Sequence, residues 1–158
     1  RDWSSDVCSS DLPRMTAPTL LIRHRLQVRF RDCDPLGHVN NAVYLTYLEQ
    51  ARFNLWRAQL GFEAKVASDP GPRGVGFILA RVEFDFRAQS RYGDELEVAL
   101  SLERFGRTSF TYTYEIHDVA TGALVATART VLVRFDYDTQ RPAPLDDVTQ
   151  ARLSAPVS

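Results

Sequence analysis

The sequence predicts an α+β domain in which an antiparallel five-stranded sheet wraps around one long central helix. Five segments alternate apolar and polar residues with the period of a half-buried strand, and a single segment carries its apolar residues at helical spacing. The four later strand segments are joined by turns too short for crossover helices, so their pairing is antiparallel. A chain of 158 residues, 44% hydrophobic and 25% charged, suffices for one domain with its own core.

The first strand is expected over Leu26–Arg31, where L-Q-V-R-F-R alternates. A polar cluster follows, and then Tyr44, Tyr47, Leu48, Ala51 and Leu55 form one helical stripe that Asn40 or Asn41 can cap and Gly61 can end. Residues 63–76, with "SDPGPRGVG", read as a loop. Ile78, Ala80, Val82, Phe84 and Phe86 then alternate with Arg81, Glu83, Asp85 and Arg87. The next strands follow Leu96 to Leu102, Phe110 to Ile116 and Val125 to Phe135, separated by the turns "RYGDE", "RFGRTS" and "DVATGA". One helix must cover five strands, which leaves apolar surface and strand edges for a second copy, so a homodimer or homotetramer is expected.

Residues 1–14 are set apart from the domain: "RDWSSDVCSSDL" repeats Ser-Ser-Asp, has no periodicity and reads like a translated adapter, and Met15 follows. The domain is expected over residues 15–150, with residues 151–158 as a tail. A net charge of −1 gives no global basic field for nucleic acid or an anionic membrane surface. No apolar run approaches the roughly 18 residues of a membrane span, and a cytoplasmic location is expected. Cys8 and Cys33, with the scattered His24, His38 and His117, make neither a disulfide framework nor metal-ligand spacing, so no metal and no cofactor is expected.

Chemistry concentrates at the strand-to-helix junction, "RFRDCDPLGHVNNAVYLTYLEQAR", Arg29 to Arg52. Asp34 precedes a proline that restricts its backbone, and a helix start with unpaired N–H groups follows within a few residues. A carboxylate beside a helix N-terminus joins a base or nucleophile to a site for developing negative charge. The plainer reading of Asp34 alone is an Asx-turn or a cap. The element order with "CDPLG" and "HVNNAVYL", and later "RYGDELEV" and "VRFDYDTQRPAPL", resembles the hotdog-fold thioesterases of the 4-hydroxybenzoyl-CoA thioesterase and acyl-CoA thioesterase group over roughly residues 20–145.

The resemblance implies a hotdog fold and hydrolysis of an acyl-CoA, CoA being part of the substrate rather than a cofactor. It implies Asp34 as general base or nucleophile, and it turns the choice at that residue toward catalysis. His38 either orients water or substrate or bonds within its loop, and Asn41 offers its backbone N–H to the thioester oxygen. Tyr44, Leu48, Phe77 and Leu79 are expected to line the acyl pocket, packing across an interface between subunits. Arg107, Thr108 and Ser109 sit in a hairpin turn whose counterparts touch the CoA nucleotide, and an arginine fork suits phosphate. Glu49, which some relatives would use in place of the loop aspartate, is expected to be an ion-pair or dimer-contact residue, and Cys33 a packed thiol. The alternatives are a thioesterase acting on acyl-carrier protein, whose plant-type members carry Asn where this chain has Leu36, and a non-catalytic acyl-binding protein, which would have lost the loop carboxylate.

Overall fold

A computed structural model describes residues 17–61 and 75–158. Residues 1–14 and most of the 63–76 loop lie outside the described residues. Strand β1 spans Thr19–Gln27, α1 Asn41–Leu60, β2 Val75–Phe86, β3 Glu95–Phe105, β4 Ser109–Asp118, β5 Leu124–Asp136, β6 Arg141–Pro142 and α2 Asp147–Leu153. The strands pair antiparallel in the order β1-β3-β4-β5-β2, with β6 also beside β5. The sheet wraps around α1, the hotdog architecture that the sequence leads one to expect.

Helix α1 buries Tyr44, Tyr47, Leu48, Ala51 and Leu55 on the stripe read from the sequence, and adds Arg52 and Trp56 to it. It starts on Asn40, whose side chain accepts the Ala42 N–H, and ends at Gly61, whose φ of 64° lies in the left-handed region. Against it the sheet turns Leu96, Val98, Leu100, Phe110, Tyr112, Tyr114, Ile116 and Leu132, each essentially inaccessible. Each such large apolar side chain contributes about 1.5–3 kcal/mol by leaving water. Two pairs of polar tips meet inside this layer, Trp56 Nε1 donating to the Tyr112 hydroxyl at 3.2 Å and the Tyr114 hydroxyl meeting Thr130 Oγ1 at 3.2 Å. Arg52, 4% exposed, lies 5.5 Å from the Trp56 ring and 3.9 Å from the half-exposed Glu49.

Three expectations are corrected. The first strand ends at Gln27 instead of running through Arg31, because a single 3-10 turn over Phe30–Asp32 folds the chain back there. The alternation of β2 changes phase at a bulge between Leu79 and Arg81, so Phe77 and Leu79 share the inward face with Val82, Phe84 and Phe86. Residues 151–158 are no free tail: α2 buries Leu153, Gln59 Nε2 donates to the carbonyls of Leu153 (3.1 Å) and Ala155 (2.7 Å), and Val157 N–H donates to Leu21 O at 2.7 Å. A helix of seven residues carries too little periodicity to be read in advance.

Candidate active site

The loop from Cys33 to Val39 is closed by an isolated β-bridge between its two ends. Within it Asp34 N–H donates to the His38 carbonyl at 2.9 Å, and Gly37 N–H to the Asp34 carbonyl at 3.0 Å. Gly37 sits at φ 85°, which a side-chain-bearing residue adopts only with strain. One Asp34 oxygen accepts the Leu36 N–H at 2.9 Å, the Asx-turn of the plainer reading, and the other receives no hydrogen bond from the described residues. The turn therefore fixes the carboxylate and leaves half of its acceptor capacity free.

Two backbone bonds seat this loop against the rest of the fold, Val39 N–H to Ser90 O at 2.8 Å and Asn40 N–H to Asp32 O at 3.0 Å. Asn40 is the capping residue, its side chain accepting Ala42 N–H at 2.9 Å, so Asn41 is the first helical residue and does not serve as the cap. Asn41 N–H has no partner among the described residues, as expected of the first turn of a helix. Asn41, at the positive end of the helix, and Asp34 line the same space.

That space is a cleft of about 510 Å³. Asp34, Leu36 and His38 form its loop wall, Asn40, Asn41 and Tyr44 its helix wall, and Phe86, Arg87, Ala88 and Gln89 the wall at the exit of β2. The buried Tyr44 ring meets Phe86 edge-on at 5.3 Å and Tyr47 at 5.6 Å, and burial pushes its hydroxyl above its ordinary pKa. The cleft thus has an apolar floor and a polar rim bearing one carboxylate, one guanidinium and a helix N-terminus.

The structure brings Asp34, His38, Asn41 and Tyr44 together and leaves the other expected site residues apart. Leu48 is fully buried in the core. Phe77 packs on Trp56 at 5.3 Å and Phe110 at 5.2 Å, and Leu79 is half-buried against the same core. Leu79 pairs with Leu132, which also pairs with Phe110, whereas Phe86 pairs with Ala126. Six positions along β5, roughly 20 Å at 3.3 Å each, therefore separate Leu79 from the cleft. The Arg107–Ser109 turn lies at the same far end, with Arg107 exposed, Thr108 buried, and its backbone strapped down by Leu145 N–H to Arg107 O and Arg134 N–H to Thr108 O, both 2.8 Å.

Arg87 and Gln89 in the cleft wall were not singled out from the sequence. They lie about fifty residues from Asp34, and the Val39–Ser90 bond and the contact of Tyr44 with Phe86 bring their segment alongside. Among the described residues, no group of three or more His, Cys, Asp or Glu is placed to hold a metal ion, and no helix is long and apolar enough to cross a membrane.

The thioesterase-like superfamily matches the chain over residues 28–153. Long-chain acyl-CoA thioesterase FadM of Escherichia coli K12 is 26% identical over 129 residues, 82% of this chain and 94% of that protein. The 1,4-dihydroxy-2-naphthoyl-CoA hydrolase of Synechococcus elongatus is 30% identical over 124 residues, 78% of this chain and 88% of that protein. A solved structure of a thioesterase from Thermus thermophilus, complexed with coenzyme A and Zn, superposes with a TM-score of 0.69 at 34% identity, covering 83% of this chain and 90% of that one.

Proposed function

The chain belongs to the thioesterase-like superfamily, and on that premise we propose that it hydrolyses the thioester of an acyl-CoA in the cytoplasm, releasing the free acid and CoA. The observation that carries this reading is the cleft lined by both Asp34, with one carboxylate oxygen outside its turn, and Asn41, whose N–H has no partner among the described residues. A thioester carbonyl seated there directs its oxygen at Asn41 N–H and the positive end of α1, where the charge that develops on attack is stabilised. Asp34 acts through the oxygen outside the Asx-turn, either taking the proton of an attacking water or itself attacking the carbonyl carbon, in which case the C–S bond breaks to leave an acyl-aspartyl anhydride that a water then hydrolyses to the free acid and the regenerated carboxylate. The sulfur departs as a thiolate without a dedicated acid, since a thiol of pKa about 8.5 is a fair leaving group near neutral pH.

Tyr44 and Phe86 offer the acyl group an apolar bed, and Arg87 offers the rim a cation. The remaining pocket and CoA contacts come from a second copy. Among the described residues β2 ends the sheet with its outer edge unpaired, and its inward Val82 and Phe86 stay 38% and 41% exposed. A two-fold pairing of that edge with itself is antiparallel, so it draws the far end of the partner's β2 toward this cleft. The partner subunit's Phe77, Leu79 and Arg107 then complete the site that one chain leaves open.

Thiol release from a panel of short, long and aromatic acyl-CoA esters tests the reading. Saturable release from at least one ester is expected. Hydrolysis confined to acyl-carrier-protein thioesters, or none at all, overturns it.

A further inference from the structure

Asp32 is the most heavily bonded side chain near the cleft, yet it does not line it. It is 3% exposed, and its carboxylate accepts the Arg29 backbone N–H at 2.9 Å, Arg29 Nε at 3.1 Å and Arg29 Nη2 at 2.9 Å, and the Tyr47 hydroxyl at 2.9 Å. Its own carbonyl accepts Asn40 N–H at 3.0 Å. One residue thus grips the turn after β1, the middle of α1 through Tyr47, and the residue that caps α1. Those are the parts whose relative placement sets the distance from Asp34 to Asn41 N–H.

We propose that Asp32 is a positioning residue for thioester hydrolysis, locking the Asp34 loop against the N-terminus of α1 through Tyr47, Arg29 and Asn40. The proposal rests on the thioesterase reading above. Burial alone pushes an Asp32 carboxyl upward, but the bonds from Arg29 and Tyr47 outweigh it and hold the group below its ordinary pKa, so it stays an anion throughout catalysis. The Tyr47 hydroxyl is correspondingly pushed up, first by burial and then by Asp32, so it remains a donor. A bifurcated anchor of this kind is stiffer than the single hydrogen bond that forms the Asx-turn, and displacement of a reacting group by about 1 Å costs on the order of 10²-fold in rate.

The test is a double-mutant cycle on kcat in the full chain. Asp32→Asn keeps the shape and one acceptor but loses the charged grip on Arg29, which is itself partly exposed and can turn to water. It is expected to lower kcat by roughly 10- to 100-fold with KM little changed. Tyr47→Phe, which removes one bond only and keeps the variant safely folded, is expected to lower kcat by about 3- to 10-fold. Combined with Asp34→Asn, neither change should cost more than about 3-fold further, because each acts through a geometry that no longer serves a base. Losses that multiply with that of Asp34→Asn, or a lowered melting temperature with kcat per folded enzyme intact, overturn the proposal and leave Asp32 a structural anchor. A wild-type enzyme that releases no thiol sinks the thioesterase reading and this inference with it, whereas an active wild type with multiplying losses sinks this inference alone.

Discussion

Asp32 and Asp34 stand two positions apart, one buried under bonds from Arg29 and Tyr47, the other half-buried with a single backbone donor. The contrast separates a carboxylate fixed by its bonds from one with an oxygen outside its turn. Gly37 belongs to the same loop for a conformational reason alone: at φ 85° a Cβ would meet nothing within 4 Å, so a side chain is excluded by backbone strain and not by crowding. Gly37→Ala should therefore cost about 1–2 kcal/mol of stability and loosen the turn that holds Asp34. Thermal unfolding and kcat measured together check this, and an alanine variant as stable and active as wild type would show that the loop tolerates another turn. The residues of this loop were legible in the sequence because "CDPLGHVNN" crowds turn and cap chemistry before a helical stripe. Asp32 was not, because its partner Tyr47 is fifteen positions away and reads as just another apolar stripe member.

At the scale of elements, the N-terminus of α1 serves two purposes through adjacent residues, Asn40 satisfying Ala42 N–H and Asn41 leaving its own N–H open. Asn40→Asp separates the two. An aspartate caps as well as asparagine and suits the helix dipole, so the melting temperature should hold or rise. The same charge stands beside the forming oxyanion, so kcat should fall. Asn40→Ala should instead lose about 0.5–2 kcal/mol of stability. Equal activity for Asn40→Asp and wild type would remove the helix N-terminus from the reaction. Helix α1 was readable to within a residue because its stripe, cap and terminal glycine agree, whereas the bulge in β2 was not, since strict alternation through Ile78 and Ala80 masks a phase change that only the pairing with β5 reveals.

At the scale of the whole molecule, the groups that tie the fold together titrate on the acid side. Burial lowers the pKa of His24, whose Nδ1 lies 3.0 Å from Asn54 Nδ2. Hydrogen bonds to Thr149 hold Asp146 at about 2, bonds to Arg23 lower Glu97, and Asp32 is held low by Arg29 and Tyr47 against the cost of its burial. A depressed folded pKa means that the unfolded chain binds more protons, so each group stabilises fully above its unfolded value and loses that contribution as pH falls. The melting temperature should be highest between about pH 7 and 9, decline slightly below 6.5 where the unfolded chain protonates His24 more readily, drop steeply from about 4.5 toward 2, and fall again above about 10, where the unfolded tyrosines ionise while burial keeps Tyr44, Tyr47 and Tyr112 protonated. A protein more stable at pH 3 than at pH 7 would contradict these bonds. On the proposed reading the pocket draws on two copies, so Val82→Lys on the open edge should yield a folded monomer of low activity, as seen by sizing and thiol release. A monomer with full activity would place the whole site in one chain. The far end was assigned to the pocket from its motifs alone, and only the register shows its distance from Asp34. The most direct measurement of the central claim is the turnover of Asp34→Asn on an acyl-CoA ester that the wild type hydrolyses. Turnover should fall by roughly 10²- to 10⁴-fold with the affinity for a product analogue unchanged, because the amide keeps the Leu36 turn and loses the base. Turnover near that of wild type would leave Asp34 a turn-former and turn attention to the helical carboxylate of Glu49.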